Sequence, residues 1–400
     1  MTSMQLRRCS VVLFDPREEV VFDLESLASG GDGLASTLTL LALAPHLENE
    51  VPVTTNEVAL LAQVSATNWI PRAEVCGRFG DALVDALLEK GLLIADSDQA
   101  PVFRERDEAL RSAHWRPLAA VSHYSFRWSG VRSGDEARGA GYSTMTELAE
   151  RLGPPPPHVL AHVDEPLRQS LPEGISTSFD ELLARRVTCR NFDVASVLPL
   201  TVFSTMLRRV FSAQATLDIQ KDNTVIKRTS PSGGGLHPTE AYLLVSRVEG
   251  VSPGLYHYHS GGHSLEPLAS ELALDDLALR CVAAQRYFAD AHVLVVMASR
   301  FPRNFWKYRN HAKAYRVVTL DVGHLSQTLY LSATDLGLGA FITGAINEVE
   351  IEAAFGMDPL VVSPIAVCGF GIRAQERVST EFDPLGTVWE PGTNRLRDRG

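Results

Sequence analysis

Apolar positions recur along this chain with two different periods, and the change from one to the other divides it. From 51 to 96, VPVTTNEVALLAQVSATNWIPRAEVCGRFGDALVDALLEKGLLIAD, they return at helical spacing in two or three short pieces, and Gly91-Leu92-Leu93-Ile94 at the end predicts a strand. Beyond about 175 helix and strand signals interleave. Residues 178–186 predict a short helix, with Phe179, Leu182 and Leu183 at apolar spacing and Thr177 or Ser178 as its cap. The runs 242–246 and 292–297 are short, apolar and rich in β-branched residues, which predicts buried strands. Between them, 254–267 alternates as a hairpin does, with Gly261-Gly262 at its turn. Leu325, Leu329, Ala333 and Leu336 then recur at helical spacing until Gly337 and Gly339 end the helix, and 360–368 is again strand-like. This interleaving suits a mixed α+β or α/β layer fold.

The stretch between these halves reads differently. It holds an aromatic-rich piece, HWRPLAAVSHYSFRW, and then Pro154 to Pro157, four consecutive prolines that force an extended spacer and forbid helix. The expected division is therefore an N-terminal domain over 1–110, a linker region over 111–170 and a second domain over 171–385. Helices followed by a small strand make the first of these resemble a winged-helix unit. Its DNA-binding version is disfavoured, because 51–96 holds only Arg72, Arg78 and Lys90 against Glu57, Glu74, Asp81, Asp85, Glu89 and Asp96. Docking of a peptide or protein, or simple packing on the rest of the chain, are the readings left open.

Composition narrows the picture further. With 45% hydrophobic and 21% charged residues the chain reads as a soluble globular protein, and at roughly 100–200 residues per domain its 400 residues hold two or three domains. A formal net charge of −11 argues against wrapping nucleic acid or anionic lipid, both of which demand a basic face. The five cysteines, Cys9, Cys76, Cys189, Cys281 and Cys368, are scattered without a CxxC pair, so neither a disulfide framework nor a zinc site is expected, which suits a reducing cytoplasm. The apolar stretch behind Arg7 and Arg8 is too brief for a signal-peptide core, and no run is long enough to span a membrane.

Chemistry concentrates in five ordered segments. KRTSPSGGGLHPTEAY, residues 227–242, can bring backbone N–H groups, hydroxyls and the charges of Lys227 and Arg228 close to one anion. RVTCRNF presents Arg186, Thr188 and Arg190, two guanidiniums and a hydroxyl suited to a phosphate or an electron-rich ring. GLYHY, WKYR and DVGHLSQTLYLSATDLGLGA follow. Taken in chain order, with RVTCRNF first, the segments resemble the FMN-dependent nitroreductase-like family, and within it the SagB-type peptide dehydrogenases, which oxidise azoline rings in ribosomally made peptides to azoles. The resemblance covers about 178–375.

It implies an FMN-binding α+β sandwich that dimerises, preceded by a winged-helix-like region. It also implies that Arg186, Thr188 and Arg190 contact the phosphate, ribityl chain or N1/O2 edge of FMN. Ser230, Pro231, Ser232, Gly233 and Gly234 would line the flavin, Gly339 and Gly344 would let backbone approach the ring, and Arg373 would be a second phosphate ligand. Cations at the N1/O2 edge would stabilise the negative charge that appears there on reduction. The family's Arg-Arg-Ser pattern reads Arg186-Val187-Thr188 here, which puts a ligand at Val187 in doubt. Lys307 and Tyr308 match a catalytic Lys-Tyr pair of the azoline-oxidising relatives. A Lys buried beside cations could act as base there, with Tyr308 positioning or relaying the proton.

His257, His259 and His263 read as hairpin residues rather than a metal site, because no carboxylate or Cys completes a set nearby. His237 and His324 are open between facing substrate and a structural role, and Asp321 is placed to orient neighbouring backbone. Three functions remain: an FMN-dependent dehydrogenase of peptide maturation with a precursor peptide and a cyclodehydratase as partners, an NAD(P)H-driven reductase of nitro, quinone or dehydroamino acid substrates, and a non-catalytic peptide-binding scaffold.

Overall fold

The computed structural model describes residues 4–97, 101–139, 144–221, 223–269 and 272–397. The chain forms two compact units, one of Met1–Arg127, Phe301–Arg316 and Pro359–Val361, the other of Trp128–Arg300, Val317–Asp358 and Val362–Gly400.

In the first unit the strand Gln5–Arg8 pairs antiparallel on one side with Ile70–Pro71 and on the other with Leu93–Ala95. The helices Thr55–Gln63, Arg72–Phe79 and Asp81–Glu89 supply Leu60, Leu61, Val75, Val84 and Leu87 to one core with Leu6, Leu93 and Ile94. Thr54 starts the first helix by a reciprocal capping box with Glu57, which satisfies two otherwise orphaned N–H groups. Buried Arg7 makes an ion pair of 2.5 Å with buried Asp107 and another of 2.7 Å with Glu108. A long antiparallel hairpin, Leu13–Phe22 with Leu34–Leu43, was not legible in the sequence pattern.

The division differs from the expected 1–110, 111–170 and 171–385. The aromatic-rich piece is no linker, because its rings have to be buried: Trp115 and His123 pack with Phe301, Phe305 and Tyr315 in one cluster of the first unit. Trp115 Nε1 donates to the Leu360 carbonyl at 2.9 Å. Segments 301–316 and 359–361 thus join a unit far from them in sequence.

The second unit is built on a six-stranded antiparallel sheet. Its strands are β1 (Thr239–Val245), β2 (Gly254–His259), β3 (Ser264–Leu268), β4 (Val293–Arg300), β5 (Gly339–Thr343) and β6 (Val362–Gly371), in the order β3-β2-β1-β4-β6-β5. Its helices include α1 (Ser178–Ala184), α2 (Leu200–Val210), α3 (Leu274–Cys281), α4 (Ala314–Asp335, which belongs to this unit from Val317) and α5 (Glu348–Phe355). Strand period two sorts the central strand onto two faces. Val293, Val295 and Met297 meet Phe203, Met206 and Val210 of α2 and Val322, Leu325 and Leu329 of α4. Leu294, Val296 and Ala298 meet Leu277 and Cys281 of α3 and Ile351 and Phe355 of α5. Helices therefore cover both faces of the sheet, and each such aliphatic side chain contributes roughly 1.5–3 kcal/mol by burial. The result is the expected α+β sandwich. Among the described residues no helix is long and apolar enough to cross a membrane.

Candidate active site

The strip 186–192 runs beside β5, where Thr188 bridges Ala340 in parallel and the Cys189 N–H donates to the Ala340 carbonyl at 2.8 Å. This pairing needs Gly339, since a Cβ there would lie 2.4 Å from Cys189 Sγ. Gly339 thus serves close packing of the strip, beside the role expected of its backbone next to a ring.

Tyr330 of α4, which sequence reasoning missed, organises the start of the strip. Its hydroxyl lies 3.1 Å from Thr188 Oγ1 and accepts from the Ile342 N–H at 3.1 Å, and the Arg186 guanidinium stands 5.4 Å from its ring centre. Burial pushes the Tyr330 phenol upward, so it stays a neutral hydrogen-bonding group. Its position in LSQTLYL, inside a segment already singled out, was the available signal. Arg190 stands 5.9 Å from the Tyr287 ring and 6.0 Å from Phe288. Arg186 and Arg190 are half-buried and make no ion pair among the described residues.

Arg373 is different. Buried, it pairs with Glu381 at 2.8 Å and donates to the Val187 carbonyl at 2.7 Å. Each terminal nitrogen of this expected phosphate ligand makes one bond within the chain. Val187 itself is core, packed with Val388 and Trp389, so its side chain replaces no ligand. Glu381 also accepts from the Arg190 N–H at 2.6 Å, Asn191 Nδ2 at 2.8 Å and Trp389 Nε1 at 2.9 Å.

The Gly-rich loop is likewise held from within. Buried Asp321 accepts from the Ser232 hydroxyl at 2.6 Å and the Gly233 N–H at 2.9 Å, while Ser230 Oγ lies 2.6 Å from Thr328 Oγ1. Asp321 thereby shapes the loop on which the expected flavin-lining residues Ser230, Pro231, Ser232, Gly233 and Gly234 stand. A Cβ on Gly233 would come within 2.0 Å of Val317 Cγ1. Pro231 and Gly234 remain exposed on the loop. Arg228 turns into the sheet, donating to the Thr239 carbonyl at 2.8 Å, with Glu240 at 4.0 Å. Gly344 is exposed, with open space where a Cβ would stand, and among the described residues it makes no hydrogen bond.

Lys307 and Tyr308 belong to the first unit. They are together locally, with Lys307 Nζ 5.6 Å from the Tyr308 ring centre, but Lys307 is exposed, so the burial expected of a proton-accepting lysine is absent. His257 is held between carboxylates, Glu266 at 2.7 Å and Glu240 at 3.6 Å, and among the described residues no group of metal-ligating side chains converges. The hydrogen bond with Glu240 raises the His257 pKa, against the pull of burial. His237 donates its N–H to Ser232 Oγ at 2.9 Å, and His324 is exposed. Burial pushes the Cys189 and Cys281 thiols up to about 12, which rules them out as nucleophiles at neutral pH.

What remains available to a ligand is two guanidiniums resting on aromatic faces, the Thr188 hydroxyl, and the exposed backbone at Pro231, Gly234 and Gly344. These groups, with Pro231 offering surface rather than an N–H, fit a flat, electron-rich ring carrying a phosphate.

With this sandwich and this set of residues, the chain belongs to the nitroreductase family, whose sequence pattern matches residues 183–372. It is 31% identical over 197 residues to a protein of Methanocaldococcus jannaschii named as a nitroreductase, covering 49% of this chain and 93% of that one. It is 28% identical over 184 residues to the trifolitoxin-processing protein TfxB of Rhizobium leguminosarum, covering 45% of this chain and 48% of TfxB. It is 25% identical over 202 residues to the microcin B17-processing protein McbC of Escherichia coli, covering 50% of this chain and 71% of McbC. Among solved structures, a chain of the E. coli microcin synthetase McbBCD complex aligns with a TM-score of 0.42 at 22% identity, over 60% of this chain and 91% of that one.

Proposed function

We propose that this protein is an FMN-dependent dehydrogenase of peptide maturation, which oxidises azoline rings in a ribosomally made precursor peptide to azoles. The observation that carries the reading is the pair Arg186 and Arg190, half-buried on aromatic rings, whose guanidiniums make no ion pair among the described residues, Arg190 Nη1 donating to the Thr380 carbonyl at 3.4 Å. Cations left uncompensated in this way are arranged for an anion that the chain itself does not supply. The names of TfxB and McbC, both processing proteins of peptide products, favour a peptide substrate.

When bound, FMN would supply the two-electron acceptance that ring oxidation requires. Arg186, Thr188 and Arg190 would hold its phosphate or its N1/O2 edge, and positive charge at that edge would favour the reduced form. Asp321 fixes the loop that presents Pro231 and Gly234, so these residues bind without reorganising. Lys307, with Tyr308 beside it, is the pair that would take the ring proton. The protein would act as a homodimer, and the winged-helix-like part of the first unit would dock the precursor peptide or a cyclodehydratase.

The visible absorption spectrum of the purified protein, taken anaerobically before and after NADPH and then NADH, tests this. A flavin band that survives both reductants and bleaches with an azoline peptide is the expected result. Rapid bleaching by either nicotinamide would instead make the protein a reductase of nitro, quinone or dehydroamino acid substrates. Absence of any flavin band would leave a peptide-binding scaffold.

A further inference from the structure

Between α3 and β4 the chain makes a turn that ordinary alanine avoids. Ala283 and Ala284 take φ of 47° and 62°, two consecutive left-handed residues, and both are buried. Neither has a side chain that rewards this conformation, so the surrounding structure must impose it. It does so from two directions. The Gly134 N–H donates to the Ala283 carbonyl at 3.1 Å, and a Cβ at 134 would lie 2.6 Å from the Ala284 carbonyl oxygen. Buried Asn347 donates from Nδ2 to the carbonyls of Arg280 at 2.9 Å and Val131 at 3.0 Å.

What the forced turn delivers is Gln285. Buried at 8% exposure, its Nε2 lies 2.9 Å from the Val282 carbonyl, 3.2 Å from Thr343 Oγ1 and 3.0 Å from the Ala345 carbonyl. Its Oε1 accepts from the Tyr287 hydroxyl at 3.2 Å. The amide therefore grips the chain on both sides of Gly344, the exposed residue that bonds to nothing among the described residues. Through Tyr287 it also reaches the ring on which Arg190 rests, and Phe288 next to it stacks on Phe341 of β5 at 3.9 Å. A turn needed only to connect a helix to a strand would not require a side-chain amide spanning one unpaired peptide.

We propose that Gln285 is a positioning residue that fixes the Gly344 peptide and, through Tyr287, the Arg190 platform for the same flat anionic ligand. The proposal rests on the flavin reading for the identity of that ligand, but not for the grip itself. Loss of Gln285 frees two loop segments at once, so it acts on both the backbone and the guanidinium side of the site.

Gln285→Met keeps the volume and removes every polar contact, and Tyr287→Phe removes only the hydroxyl. Each variant is compared with the parent by hydrogen exchange of the 343–346 amides without ligand, and by FMN titration with visible circular dichroism. In Gln285→Met the Ala345 amide, which donates to Thr343 Oγ1 at 3.1 Å, should exchange at least ~10-fold faster while the β4 amides keep their protection. FMN should bind at least ~10-fold more weakly, and Tyr287→Phe should alter the flavin dichroism with a smaller loss of affinity. Unchanged exchange at 343–346 together with unchanged FMN affinity overturns the proposal. If the parent binds no FMN, the flavin reading fails and the exchange result alone decides whether Gln285 holds the loop. Should Gln285→Met fail to fold, Tyr287→Phe decides, and parental dichroism and affinity in that variant count against the proposal.

Discussion

At the residue scale, three charged side chains that look alike in the sequence have different fates. Arg186 and Arg190 rest on rings, whereas Arg373, a guanidinium of the same kind close to the same strip, is bound to Glu381. Residue type could propose all three as anion ligands; Glu381 lies only eight positions beyond Arg373, but the Val187 carbonyl that takes its other nitrogen lies 186 positions before it, which no local pattern reveals. Asp321 teaches the same lesson from the other side. Its place in the motif suggested that it orients backbone, and it does, yet it also takes the donors that the Gly-rich loop would otherwise offer outward. Lys307 is where geometry and expectation differ most, since the amine is exposed. Its proposed role is decided by substitution: Lys307→Ala should leave FMN affinity at the parental value and lower turnover of an azoline peptide at least ~100-fold, the usual weight of a positioned base. Parental rates in that variant, measured by single-turnover bleaching of the flavin, would remove Lys307 from the mechanism.

At the element scale, the strands and the hairpin of the sheet were legible because each buries a simple pattern. The run 242–246 is found as Thr239–Val245 and 292–297 as Val293–Arg300, each extended by polar or bulged ends that periodicity does not weigh. The predicted 254–267 hairpin appears as Gly254–His259 paired with Ser264–Leu268. The helix at Leu200–Val210 went unread, although Phe203, Met206, Leu207 and Val210 all lie on its buried side. The linker signal of Pro154 to Pro157 does not extend back to 111–127, where Pro117 opens the helix Pro117–Ser125. The pairing of the strip with β5 could not be read at all, since it depends on a missing side chain. Gly339→Ala should therefore destabilise the protein by about 1–3 kcal/mol through overpacking against Cys189. The double variant Gly339→Ala with Cys189→Ala should recover part of that loss, as urea unfolding of the three proteins would show; equal stability of parent and Gly339→Ala would refute the steric account.

At the scale of the whole molecule, each unit carries a buried histidine that folding keeps neutral. Burial lowers His123 to about 4; its Nε2 donates to the Pro359 carbonyl at 3.0 Å, leaving Nδ1 to accept from the Tyr315 hydroxyl at 2.9 Å. Burial lowers His292 in the second unit to about 4 as well. An unfolded histidine protonates near pH 6.5 and these do not, so between about 6.5 and 4 the unfolded chain binds more protons and stability falls as pH falls. Thermal melting across this window should show that decline, and His123→Phe should remove part of it; an unchanged pH dependence in the variant would mean that the ring is not held neutral. The knot around Glu381 has a consequence in time rather than space. Arg190 leaves the ribosome 191 residues ahead of the carboxylate that closes its backbone, so a nascent chain can complete its central strands while the arginine strip still lacks its clasp. The arginine strip is thus among the last parts of the second unit to be finished, closed only after the sheet beneath it has left the ribosome.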